Sequence, residues 1–202
     1  MPNWCENKLT ITGNVLSILD IRFKFINDPE KRLLEILHPM PKQLMENNTE
    51  SYSNDPEHIE EMNNQRFINR IKTGYESWYD WAFAEWGTKW SDHDTHMVEE
   101  GDDTLHFTFD TAWGPPVDGI VNISKKYPML TFRLSFMEGG MGIIGAVGVR
   151  NGKVVHEVNG RWPELPYDEE NDDEYFDALS DATYVEWQRC INEVEEKCKV
   201  SN

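Results

Sequence analysis

The sequence predicts an α+β sandwich, and three observations predict it. Short stretches alternate apolar and polar residues at period two, the segments between them carry apolar residues at helical spacing, and the two kinds follow one another in a fixed order. Residues Asn7 to Thr12 alternate Leu9 and Ile11 with Lys8, Thr10 and Thr12, and Gly13-Asn14 ends this first strand. From Val15 to Ile26 the residues Val15, Leu16, Ile18, Leu19, Phe23 and Ile26 recur at helical spacing, with Asn14 placed to cap the helix. A second apolar cluster, Leu33 to Leu37, stops at Pro39-Met40-Pro41.

From Met45 to Thr73 the composition turns polar and reads as an insertion, in which Ile59, Met62, Ile68 and Ile71 can line one side of a helix. Tyr75 to Trp86 is aromatic-rich and fits a short helix stopping at Gly87. A hairpin comes next, His93 to Val98 and Thr104 to Asp110 around Glu100-Gly101-Asp102-Asp103. Pro115-Pro116 then opens a helix carrying Val117, Ile120, Val121 and Ile123. Met129 to Phe136 returns to period two, and a second hairpin turns at Asn151-Gly152 between Ile143–Val149 and Val154–Val158.

Strand, helix, hairpin, helix, strand is the split β-α-β order of the ferredoxin-like sandwich. The expected organisation is a ferredoxin-like domain over residues 1–162 with a helical insertion at about 38–90 and an added C-terminal hairpin. Residues 163–202 form an acidic tail with a helix from Ala182 to Lys197, whose apolar face is expected at Tyr184, Trp187, Ile191 and Val194.

Composition narrows the function classes. The chain has 202 residues, 19 of them basic and 37 acidic, a formal charge of -18 that repels phosphate backbones and anionic lipid. Direct nucleic-acid binding is therefore disfavoured. From Pro163 onward thirteen acidic residues stand against three basic ones. No apolar run approaches a membrane span and the start lacks a leader pattern, so the expectation is a soluble, cytoplasmic protein with no membrane partner. Cys5, Cys190 and Cys198 are too sparse for a disulfide framework and are expected as free thiols.

Several motifs are weighed against plainer readings. Gly140-Met141-Gly142-Ile143-Ile144-Gly145 fits the dinucleotide pattern, but a strand-like run succeeds it where the chemistry needs a helix N-terminus, so a bend entering a hairpin is expected. Asp92, His93, Asp94 and His96 offer metal-ligand types, yet in a regular strand His93 and His96 point to opposite faces. No metal and no cofactor is expected. Pro2 as a terminal amine is the one nucleophile in view, against packing of the terminus beside Trp4. Trp78, Trp81, Trp86, Trp90 and Trp113 can be a core or a stacking platform, with Lys89 supplying positive charge. The run Asp168, Glu169, Glu170, Asp172, Asp173 and Glu174 can be a solvated segment or an interaction surface.

The segments Met1-Pro2-Asn3-Trp4-Cys5, Trp86-Gly87-Thr88-Lys89-Trp90 and Thr111-Ala112-Trp113-Gly114-Pro115-Pro116 resemble the phage and plasmid proteins with a YubB-type, or Api-like, ferredoxin-like domain. Leu37-His38-Pro39-Met40-Pro41 and Trp78-Tyr79-Asp80-Trp81 extend the resemblance over roughly residues 1 to 160. Gly114 stands where that family's segment carries Ser. The resemblance implies the ferredoxin-like fold and a mobile-element origin, and it brings no catalytic residues. The expected function is a non-enzymatic phage or mobile-element accessory protein that binds a host protein with a basic, nucleic-acid-binding surface, inhibiting a host defence factor. The expected binding residues are Trp86, Lys89, Trp90, Trp113 and the acidic run. The alternative is a small-ligand or nucleic-acid-binding module, including an enzyme, built on the aromatic cluster. Open sheet edges leave room for a homodimer.

Overall fold

A computed structural model describes residues 2–28, 30–46, 54–99, 101–166 and 172–199. One six-stranded antiparallel sheet runs through them in the order β2-β3-β1-β4-β5-β6. The strands are β1 (Trp4–Gly13), β2 (His93–Glu99), β3 (Thr104–Ala112), β4 (Leu130–Glu138), β5 (Ile143–Arg150) and β6 (Lys153–Asn159). The helices are α1 (Val15–Asn27), α2 (Leu33–Leu37), α3 (Lys42–Glu46), α4 (Pro56–Thr73), α5 (Trp78–Glu85), α6 (Val117–Lys126) and α7 (Asp172–Lys197). The first four strands, with α1 and α6, make the ferredoxin-like β-α-β-β-α-β unit, and β5 and β6 widen the sheet beyond β4.

The period-two pattern of β1 decides which layer is the core. Cys5, Asn7, Leu9 and Ile11 are buried while Trp4 and Glu6 are exposed. Cross-strand partners carry the same side: Leu9 pairs with Phe107 on β3 and Leu134 on β4, and Ile11 with Leu105 and Phe132. Helices α1 and α6 close that face with Ile18, Ile21, Phe25, Ile120 and Ile123. Asn14 caps α1 as its sequence suggests, its side chain accepting from the Ser17 amide at 3.1 Å. The one polar side chain of β1 inside this core, Asn7, is satisfied: its Nδ2 donates to the Cys5 carbonyl and the Thr111 hydroxyl, both at 2.8 Å.

The tail departs from expectation. α7 begins at Asp172, ten residues before the predicted start. It lies on the opposite face of the sheet, over β4, β5 and β6. Neighbouring β5 residues show the two layers: Val147 and Val149 face the α1/α6 core, while Ala146 joins Val158, Cys190, Val194 and Cys198 in a second buried cluster. The buried stripe of α7 is Thr183, Trp187, Cys190 and Val194, continued by Cys198, and Tyr184 is exposed. Gly148 makes this docking close, because a Cβ there would overlap Cys198 Sγ. The early part of the helix is dominated by acidic residues; Asp172, Asp173 and Glu174 favour it by lying in its first turn, at the positive end of the helix dipole.

Candidate functional site

The insertion between α1 and β2 builds a cleft at the end of the sheet where β1 begins. Its volume is about 520 Å³. Trp4, Trp78, Trp86 and Trp90 line it with Pro39, Met40 and Met45; Asp28, Glu30, Glu35 and Asp92 supply carboxylates, Arg32 and Lys89 cations, and His93 and Ser91 complete the wall. The concave, aromatic lining with a few charged groups has the character of a ligand or side-chain docking site.

Each wall is held from below. Trp86 is only 3% exposed; its indole Nε1 donates to the His38 carbonyl at 2.9 Å and its ring meets Trp81 edge-on. Gly87 comes next, in the left-handed region at φ 79°, where a side chain would also crowd Asp118, so the chain turns away from α5 there. Gly119 lets the α6 backbone approach and donate its amide to the Trp86 carbonyl at 3.1 Å. Asp92, fully buried, accepts from the Leu33 and Leu34 amides at 2.6 and 2.7 Å and from Ser91 and Thr95, so it ties α2 to the start of β2 and is spent on structure. Trp90, by contrast, is 41% exposed, with Lys89 Nζ 4.7 Å from its ring centre and 5.9 Å from that of Tyr79. Trp4 is equally open and rests on the His93 ring at 5.3 Å.

The structure thus brings Trp86, Lys89 and Trp90 together but gives them different roles: Trp86 is core that shows one edge to the cleft, while Trp90 and Lys89 are accessible. Trp113 does not line the cleft. It sits past the end of β3 with φ 72°, exposed, its amide donating to the Asn3 carbonyl at 2.9 Å. Asp168, Glu169 and Glu170 lie outside the described residues. Asp172, Asp173 and Glu174 form the exposed first turn of α7. That turn is at the same end of the sheet as the cleft: Phe176 and Leu179 border a hollow shared with Glu6, two residues along the same β1 face from Trp4. Trp4, Arg32, Glu35 and Met40 were absent from the expected binding set; Trp4 and Met40 lie in segments that carry the family resemblance, while Arg32 and Glu35 stand in no motif.

Behind the cleft a polar network joins the insertion to the ferredoxin-like core. Glu85 accepts from Tyr75 Oη at 2.5 Å, from Asn122 Nδ2 at 3.0 Å and pairs with His38 Nε2 at 2.8 Å, while His38 stacks on Trp81. Burial pushes the Glu85 carboxyl up, but the hydrogen bonds from Tyr75 and His38 outweigh it and hold the group below its usual range; the bond to Glu85 pushes Tyr75 up to about 12. Neither group titrates near neutrality, as a general acid or base would. The network is a clamp.

β2 corrects one expectation. A bulge at Asp94, in the left-handed region at φ 50°, sets His93 opposite Asp110 and His96 opposite Thr108, so both histidines share one face. Even so, no group of three potential ligands comes together among the described residues. The glycine motif is a turn entering β5, as expected, with Gly142 at φ 66° and a strand after it. Cys5, Cys190 and Cys198 are free and buried, and burial together with Glu138 pushes the Cys5 thiol up to about 12. No described helix is long and apolar enough to cross a membrane.

Comparison with known proteins bears on the fold. A solved structure, that of a protein Api92 from Yersinia pseudotuberculosis, is 14% identical, with 83% of this chain and 100% of that chain covered at a TM-score of 0.48. No curated protein matches. Residues 85–178 match a family model described as the ferredoxin-like domain in Api92-like protein. This range holds β2 to β6 and α6; β1, which completes the sheet at its centre, precedes it. The similarity that the chain carries is therefore to the ferredoxin-like domain of Api92-like proteins, over residues 85–178.

Proposed function

We propose that this protein is a non-enzymatic accessory protein of a phage or other mobile element, acting in the host cytoplasm by binding a host protein with a basic surface. A target whose basic surface serves nucleic acid, such as a defence factor, suits an acidic protein that occupies the place of the phosphate backbone. The observation that carries the reading is the one-sided placement of charge on α7. Its inner stripe packs on the sheet, and its 26 residues hold nine acidic against two basic side chains, among them Asp172, Asp173, Glu174, Asp177 and Asp181 on the exposed first turns. The acidic start of that helix lies at the same end of the sheet as the cleft, where exposed Trp4 and Trp90 offer faces on which a guanidinium or ammonium group stacks. Acid steers the encounter and the aromatic faces supply the close contact.

Affinity purification of the tagged full chain from host cells tests this. The expected result is a stoichiometric basic protein that is retained at low salt, released as salt rises, and lost when Asp172, Asp173, Glu174 and Asp177 are changed together to Lys. A partner that binds equally well after that change would remove the acidic surface from the account. The alternative, a small planar ligand in the cleft, is favoured by the same open tryptophans; it predicts fluorescence quenching by a nucleotide that Trp90→Ala abolishes and the Lys variant leaves intact.

A further inference from the structure

On the helix layer, α1 shows a second, differently built surface. Its inner face is Ile18, Ile21 and Phe25; its outer face carries Leu16, Leu19, Phe23 and Ile26, exposed at 75, 41, 69 and 52%. The spacing of three, four and three is that of the a and d positions of a heptad, the seam by which one helix packs on another. Together with Val15 these side chains leave on the order of 500 Å² of apolar helix surface outside the fold, in the range where the largest patch on a monomer has a function. Among the described residues nothing covers it.

We infer that this stripe is the contact between two copies of the chain, paired antiparallel about a two-fold axis at the level of Ile21. Three features select that occupant. The stripe is self-complementary under that axis, because Leu16 then meets Ile26 of the second copy and Leu19 meets Phe23, and a two-fold contact needs one patch that fits itself. Its area, doubled across two copies, is about 1,000 Å², the level a specific association needs. Charge selects as well. Two chains of -18 repel at most faces, but α1 bears Asp20 against Arg22 and Lys24, a net of one positive charge, so the copies meet on a helix that is not itself acidic. A basic host protein, the partner proposed above, gains no attraction from this face, so the inference is independent of that reading.

Sedimentation equilibrium of the full chain at about 1 to 100 μM, in low and high salt, tests it. The expected result is a monomer–dimer equilibrium that strengthens with salt as the repulsion is screened. Phe23→Glu and Leu16→Glu, both at exposed positions where circular dichroism should stay native, are expected to weaken the dimer by about 30-fold or more each. Ile71→Glu on α4, also exposed and apolar, should leave it unchanged. Cysteines placed at both Leu19 and Phe23 should form an intermolecular disulfide on mild oxidation, since the native thiols are buried. A chain that is monomeric throughout this range, or a dimer that survives Phe23→Glu, overturns the inference.

Discussion

Replacing Trp187 with Ala should loosen the C-terminal helix, because it is the largest side chain on the buried stripe of α7. Trp187 is 2% exposed, and Lys8 of β1 places its ammonium 4.1 Å from the ring centre. A buried Trp cut back to Ala costs about 3–5 kcal/mol in transfer and cavity terms, and the lost cation–π contact adds about 0.5–1 kcal/mol at a partly open site. Set against a total stability of about 5–15 kcal/mol, that is a large share. With a urea dependence of about 2 kcal/mol per molar, the unfolding midpoint should fall by about 2 M. Urea titration monitored by far-ultraviolet circular dichroism reads this directly, with Tyr184→Ala as the comparison. Tyr184 is exposed and 5.9 Å from Lys8, and its change should stay within about 0.5 kcal/mol. A Trp187→Ala midpoint within about 0.3 M of the parent's, or equal losses at both positions, would refute the docking of α7 on the sheet.

Further outcomes concern the site and its support. Trp86→Ala should cost about 3–5 kcal/mol of stability and Trp90→Ala less than about 0.5, a split that thermal unfolding resolves. Glu85→Gln should cost about 1.5–3 kcal/mol by weakening charge-assisted hydrogen bonds. Because the folded Glu85 carboxyl lies below its ordinary value of 4.5, its contribution is complete above that value and is lost as pH falls through the folded value; the variant should lack this part of the acid dependence in urea titrations from pH 7 to 3. Deleting 163–202, which the sequence alone suggests would spare the core, should expose the Ala146 and Val158 face and yield a protein that binds a hydrophobic dye. The three thiols should react with a disulfide reagent only when the chain unfolds.

The central sheet could be read from the chain because β1 and β3 bury one set of alternate residues and β4 alternates apolar with polar ones, a pattern visible in Leu9, Ile11, Phe107 and Phe132 without knowing their partners. The start of α7 could not, since the five acidic residues of Asp172 to Asp181 outweigh Tyr175, Phe176 and Leu179, whose helical spacing leads into the docked turns from Thr183 onward. Its buried face was displaced for a related reason: Thr183 and Cys190 look no more apolar than Tyr184 and Ile191, and only docking distinguishes them. The shared face of His93 and His96 depends on one residue in a left-handed bulge, which Asp94 tolerates without advertising. The aromatic cluster was visible as composition, but whether a Trp is core or open depends on what α2 and α6 place over it, and those contacts span up to 89 residues, as Lys126 to the Leu37 carbonyl does. The His38, Glu85 and Tyr75 clamp has the same character and left no local mark.

The proposed binding of a basic host protein rests on the acidic start of α7 and on the open tryptophans at the same end of the sheet. The direct measurement is a side-by-side purification from host cells of the parent chain, a variant with Asp172, Asp173, Glu174 and Asp177 changed to Lys, and Trp90→Ala. The expected result is one basic protein recovered in stoichiometric amount with the parent, strongly reduced with Trp90→Ala and absent with the Lys variant. Recovery of no protein partner, or equal recovery with all three, would contradict it.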